Sequence, residues 1–259
     1  MQLIDISLPV KEVNIEIFAD LHLGSKKCNI PLIQARLHKV LTDPNTYAVL
    51  LGDLINNSTK TSVGDTYTEE LSPMEQMQLA VRLFEPIKDK ILAITSGNHE
   101  RRSYKKEGVD LMYFLAAQLG LEDRYDYCSN LIFLRLDADP GVGTGKGSNN
   151  PQLFTIYQTH GDGNGGRTVG GKANGLQRRG DIVDADVVIT GHTHMPLSFR
   201  QCGYRIDRTH RRLIKHEQLF VNASATLDYE EYAELYGMRP SSTVSPVLHL
   251  GSKGSSVTI

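Results

Sequence analysis

Val187-Val188-Ile189-Thr190-Gly191-His192-Thr193-His194 is a stretch whose two halves call for different surroundings. Its first four residues are all β-branched and three are apolar, which reads as a strand buried on both faces. Gly191 then ends the run and lets backbone approach closely, and two imidazoles at i and i+2 follow at once. His-x-His at the end of a buried strand is as often a metal site as a structural turn. In an α/β sheet, such polar loops gather at the carboxyl ends of the strands while the strands themselves stay dry.

Working outward, four more apolar runs end in the same abrupt way. Asn14-Ile15-Glu16-Ile17-Phe18-Ala19 runs into Asp20-Leu21-His22, and Ala48-Val49-Leu50-Leu51 into Gly52-Asp53. Ile91-Leu92-Ala93-Ile94-Thr95 leads to Gly97-Asn98-His99-Glu100, and Phe154-Thr155-Ile156-Tyr157 to His160. Alone, an Asp-x-His triplet is common in surface loops. At a strand end, one residue apart, its two side chains can point the same way. Helical patterns fall between these runs, at residues 31–41, 73–84 and 109–119, with Pro73 at a first-turn position and Gly120 as a C-cap.

Strands alternating with helices give an α/β fold. Residues 128–137 and 213–223 read as further strands, suited to a second sheet. Residues 139–150 and 161–180 read as glycine-rich loops, and one domain spans 1–259 with a loose tail after about residue 240. Gly141 to Ser148 imitates a phosphate-binding loop but fails on spacing, because Gly147 follows Lys146 where Ser or Thr is required.

With 40% hydrophobic and 22% charged residues, the chain is neither disordered nor fibrous. Its formal charge of −2 offers no global attraction to nucleic acid or an acidic membrane, so any basic surface is local. Cys28, Cys128 and Cys202 are scattered and odd in number, which argues against a disulfide framework and a thiolate zinc site. With no apolar run near membrane-spanning length and no secretory pattern at Met1, the expectation is a soluble cytoplasmic protein.

The set of polar strand ends, in this order, resembles the calcineurin-like metallophosphoesterase superfamily, whose pattern is D-x-H, G-D, G-N-H-[DE], H, G-H-x-H. The resemblance runs from Asp20 to His194. It implies a β-sandwich flanked by helices, in four layers α/β/β/α, with the site at the strand carboxyl ends. It also implies two divalent metal ions, one held by Asp20, His22, Asp53 and His194, the other by Asp53, Asn98, His160 and His192, with Asp53 shared. Two ions so placed polarise phosphoryl oxygens and generate a bridging hydroxide near neutral pH. Imidazole and oxygen donors without thiolate suit manganese, iron or zinc and do not choose among them; manganese is the expectation for activity, with iron, zinc or magnesium as alternatives. His99 would be the catalytic histidine, stabilising phosphate charge or protonating the leaving oxygen.

Around the motifs lie basic residues that fit a phosphate-ester substrate. Arg167 and Lys172 stand among the glycines after His160, with Arg178 and Arg179 beyond, and Arg101 follows the Gly-Asn-His motif with Arg102, Lys105 and Lys106. Asn98, Arg101, Arg167 and Lys172 are therefore the expected substrate contacts. A weaker patch is Arg205, Arg208, Arg211, Arg212 and Lys215, and His38, His210, His216 and His249 read as structural or surface residues. Protein phosphatases of the superfamily carry G-D-x-x-D-R, whereas Asp53 here is followed by Leu54-Ile55-Asn56-Asn57. That departure favours a phosphodiester of a nucleotide or nucleic acid over a phosphomonoester. A non-catalytic metal-binding scaffold is the third alternative, disfavoured because every ligand position is intact. No membrane partner is implied, and the residues set no oligomeric state.

Overall fold

A computed structural model describes residues 1–59, 69–137, 151–162, 168–229, 234, 237, 239–240 and 242–259. Its strands, in chain order, are β1 (Gln2–Leu8), β2 (Val13–Phe18), β3 (Thr46–Leu50), β4 (Ile91–Thr95), β5 (Tyr125–Asp126) and β6 (Ser129–Leu136), then β7 (Gln152–Thr159), β8 (Val187–Thr190), β9 (Leu197–Asp207), β10 (Arg212–Asn222), β11 (Val247–Gly251) and β12 (Gly254–Thr258). The helices are α1 (Ile30–Thr42), α2 (Pro73–Phe84), α3 (Glu100–Glu107), α4 (Leu111–Leu119) and α5 (Val169–Gly180). Two six-stranded sheets result, ordered β12-β11-β2-β3-β4-β5 and β1-β6-β7-β8-β10-β9. No helix among the described residues is long and apolar enough to cross a membrane.

Three apolar layers hold the elements together. Between the sheets, Ile15, Ile17, Val49, Leu51, Ala93, Ile132, Ile156 and Ile189 interlock. Outside the first sheet, Phe18, Leu50 and Ile94 pack on Ile33, Met77, Phe84 and Leu115 of α1, α2 and α4. Outside the second, Leu176 of α5 packs with Tyr157, Val188 and Phe220. Alternation along the strands sorts residues between these layers, giving the four-layer α/β/β/α arrangement. Glu16 is the polar residue on the helix side of β2 and is nearly inaccessible. It accepts from Arg36 Nε at 3.1 Å and Lys39 Nζ at 2.9 Å, which ties α1 to the sheet without leaving a buried charge alone.

Local signals explain the helix boundaries. Ser72 and Glu75 form a reciprocal capping box ahead of α2, with Pro73 in the first turn, a cap worth about 1 kcal/mol. Asp110 caps α4 through the Tyr113 amide, and Gly120 ends it in the left-handed region.

Two sequence expectations need correction. Residues 169–180 are not loop but the helix α5, capped by Thr168 Oγ1 on the Gly171 amide. The expected loose tail instead forms the β11–β12 hairpin, antiparallel to β2, with Leu248 and Leu250 buried in the inter-sheet core. The glycine-rich stretch 139–150, with its imitation phosphate loop, lies outside the described residues, as does Arg167.

Candidate metal centre

β2, β3 and β4 run parallel in one sheet, and β7, β8 and β10 run parallel in the other. Their carboxyl ends deliver Asp20 and His22, Asp53, Asn98 and His99, His160, and His192 and His194. The convergence of Asp20 with His22, and of His192 with His194, is not extended-strand alternation. Asp20, His22, Asp53, His192 and His194 all have positive φ, between 50° and 66°. Each such residue costs about 1–3 kcal/mol and persists only where its surroundings over-determine it. Gly52 and Gly97 do so here: a Cβ on Gly97 would lie 2.1 Å from Asp53 Oδ1, and one on Gly52 would lie 2.3 Å from the Gly97 nitrogen. The loops after β3 and β4 therefore interlock backbone to backbone.

Among the described residues, three groups of donor atoms lie close enough to hold a metal ion: Asp20, His22 and His194; His22, Asp53 and His99; and Asp53, His160 and His192. His194 Nε2 is 3.3 Å from both His22 Nε2 and Asp20 Oδ1. His160 Nε2 is 3.2 Å from Asp53 Oδ2 and 3.0 Å from Asn98 Oδ1. The ring orientations are fixed from behind. His22 Nδ1 donates to Asn56 Oδ1 at 3.1 Å and His160 Nδ1 to the Leu51 carbonyl at 2.7 Å, which leaves each Nε2 turned toward the cluster. The second carboxylate oxygen of Asp20 accepts from the His192 amide at 2.9 Å, while its buried Oδ1 accepts no hydrogen bond. A buried anionic oxygen without a donor, facing imidazole nitrogens, fits a cation.

The charges are strongly coupled. Burial opposes ionisation of Asp53, but the neighbouring imidazoles of His160 and His99 hold its carboxyl well below the usual range. Burial alone would lower His160; the Asp53 carboxylate reverses this and raises it to about 9. Burial pushes His22 well below the ordinary imidazole value. His99 is lowered too, by burial and by Arg102, against the pull of Asp53. Its Nδ1 donates to the Asn56 carbonyl at 2.6 Å, and its Nε2 accepts from Arg102 at 2.9 Å.

All seven expected ligands and His99 come together, but the expected substrate contacts separate. Asn98 stands in the cluster beside His160. Arg101 turns away: its guanidinium lies 4.9 Å from the Tyr127 ring centre and donates to the Tyr127 carbonyl. Lys172 donates to the Thr193 carbonyl at 2.7 Å and so braces the loop that carries His192 and His194. Asn222 braces the same loop through Thr193 Oγ1 and the Met195 carbonyl.

Three contributors escaped the sequence, Asn56, Asn222 and the role of Glu100, while Arg102 stood there only as one of a basic run. Glu100 is a buried clamp that accepts from the amides of Asp53, Leu54, Ile55 and Gly97. Burial, with Asp53 close by, raises its carboxyl to about 7. Asn56 carried a faint signal, as a polar residue directly after buried Leu54 and Ile55.

Comparison with known proteins follows the same lines. The model of the calcineurin-like phosphoesterase family matches residues 13–196. Among solved structures, the chain is similar to Vacuolar Protein Sorting 29 from Cryptosporidium parvum, at 13% identity and TM-score 0.44, covering 95% of this chain and 96% of that one. It is also similar to a metallophosphoesterase from Sphaerobacter thermophilus, at 13% identity and TM-score 0.39, covering 95% and 89%. A third, the calcineurin-like phosphoesterase YfkN from Bacillus subtilis, has 13% identity and TM-score 0.40, covering 96% and 90%. No curated protein matches significantly. A family match over well more than half of the residues, on a chain whose strand ends gather metal-ligating side chains, places it: the chain belongs to the calcineurin-like phosphoesterase family.

Proposed function

We propose that the chain is a dinuclear metal-dependent phosphoesterase that hydrolyses a phosphodiester of a nucleotide or nucleic acid. The observation that carries this reading is the membership of Asp53 in two of the three donor groups, with Asp20, His22 and His194 to one side and His160 and His192 to the other. In this reading Asp20, His22, Asp53 and His194 hold one ion, and Asp53, Asn98, His160 and His192 the other. Manganese is the first choice, and two such ions would polarise the phosphoryl oxygens and lower the pKa of a nucleophilic water. Asp53, sharing both positions, would offset the repulsion between them.

The remaining work falls to the chain's own groups. His99 sits 3.8 Å from Asp53 Oδ2, at the edge of the cluster, where it meets the ester's leaving side. Arg102, hydrogen-bonded to His99 Nε2, adds a permanent cation for the phosphoryl charge. That same guanidinium favours a second reading, a phosphomonoesterase, because it offers the phosphate-gripping arginine that the residues after Asp53 lack.

Supplying Mn and comparing an aryl phosphodiester with the matching monoester tests both readings. Metal-dependent cleavage with diester preference is the expected outcome. Monoester preference moves the assignment to the second reading. Absence of both cleavage and metal binding removes the enzyme reading altogether.

A further inference from the structure

One flank of the centre is aromatic and basic together. α3 starts directly after His99, and Tyr104 follows five residues along the chain from that histidine, roughly 8 Å in helical rise. Its side chain is 48% exposed. From the other sheet, Ser129 at the start of β6 pairs with Thr159, the residue before His160. Tyr127 lies two residues before Ser129 and directly after β5, the parallel neighbour of β4, so the two tyrosines follow adjacent strand ends of the first sheet where the chain crosses to the second. Their rings meet with centroids 4.9 Å apart and planes inclined by 50°. Arg101 holds Tyr127 by its carbonyl and its ring, and exposed Lys105 follows Tyr104.

We propose that Tyr104 and Tyr127 form a platform on which a nucleobase of the substrate stacks beside the phosphate at the metal centre, with Lys105 giving charge to a flanking phosphate. The inference rests on the phosphoesterase reading for the position of the phosphate. The physical case is that tyrosines held by a fixed guanidinium present a π-face at low entropic cost, and base stacking tolerates every base. Cations beside aromatic rings are the combination that a nucleotide, carrying both a π-system and negative charge, complements. Arg101 then contributes to substrate binding without touching substrate, by building the surface.

The test is calorimetric titration of the Mn-loaded protein with adenosine 5′-monophosphate and with ribose 5-phosphate. The nucleotide should bind at least about fivefold more tightly. Tyr104→Ala should abolish that preference with ribose 5-phosphate affinity unchanged, and Tyr104→Phe should retain it. Equal affinity of the wild type for the two ligands, binding of neither, or a preference that survives Tyr104→Ala overturns the platform. Self-association in sedimentation that is lost in Tyr104→Ala also overturns it, by giving the surface to a second copy. Aryl diester hydrolysis is followed in parallel. Cleavage without base preference sinks the platform alone, whereas base preference without ester cleavage supports the platform and sinks the phosphoesterase reading.

Discussion

The two halves of the site are built to different stiffness. The loops after β3 and β4 are fixed from within: Gly52 and Gly97 leave no room between backbones, and the Glu100 carboxylate gathers four amides. The loop after β8 has one inner tie, the His192 amide on Asp20, and is otherwise braced from the periphery, by the half-buried Lys172 and by Asn222 on Thr193 and Met195. Exposure follows the same division, since the Asp53 side chain is 1% exposed and that of His194 is 31%. His160 comes from β7 yet belongs to the inner half, because its Nδ1 is tied to Leu51 at the end of β3. The lesson is that the carboxylate placed between two donor groups is buried and its loop tied by many backbone contacts, while the outer imidazole of His194 stays partly exposed.

The largest effect expected from this contrast comes from Glu100→Ala. Four buried amides lose their acceptor together, and each unsatisfied buried donor costs about 1–3 kcal/mol before relaxation. A stability loss of about 3–5 kcal/mol in denaturant unfolding is the expected result. Glu100→Gln, keeping one acceptor oxygen, should recover part of it. A loss for the alanine variant below about 1 kcal/mol would break the claim that the inner half is fixed from within.

How far this contrast can be read from sequence depends on the range of the forces involved. Ile91–Thr95 and Val187–Thr190 are strands with the boundaries their composition predicts, because a buried strand that runs into polar loop changes character within one residue. That the seven expected ligand positions converge was legible for the same reason. The left-handed backbone at Asp20 or Asp53 was not, since contacts between loops from different strands impose it. Helix α5 was hidden by its glycines, whose low helix propensity is overridden by Leu176 docking and by Phe220, which leaves no space for a Cβ at Gly180. The β11–β12 hairpin is short and rich in Gly and Ser, and it exists through pairing with β2, more than 200 residues earlier in the chain. Choosing between Arg101 and Arg102 needed the phase of α3: adjacent helical residues point about 100° apart, and only one of the pair faces His99.

A smaller effect should follow in the outer half. Lys172→Ala removes a donor to the Thr193 carbonyl at a half-buried position, where water can replace it, so stability should change by less than about 1 kcal/mol. Metal affinity should fall about tenfold, the scale of losing a residue that orients ligands without touching the ion. Titration of Mn into the variant measures this. Destabilisation as large as that of Glu100→Ala would erase the difference between the halves.

The finest distinction is in protons. Without metal, His160 is an imidazolium at neutral pH: Nδ1 donates to the Leu51 carbonyl, and Nε2 carries a proton toward Asp53 Oδ2 and Asn98 Oδ1. Burial opposes that proton, Asp53 outweighs burial, and the pKa stands at about 9, above the ordinary imidazole value of about 6.5. The pair's contribution to stability is therefore complete below about pH 6.5 and is lost as pH rises through about 9. Metal needs the Nε2 lone pair, so binding must displace this proton, and affinity for Mn should climb with pH up to about 9. His192, which burial and His160 both lower, has none to give at that pH, whereas His194, which the Asp20 carboxylate raises against burial, adds to the release. At about pH 8 an ordinary histidine is already neutral, yet binding should still release at least most of one proton. Calorimetry in two buffers of different ionisation enthalpy counts it. No release at that pH would mean that His160 is neutral in the metal-free chain and that Asp53 is held by hydrogen bonds rather than by charge.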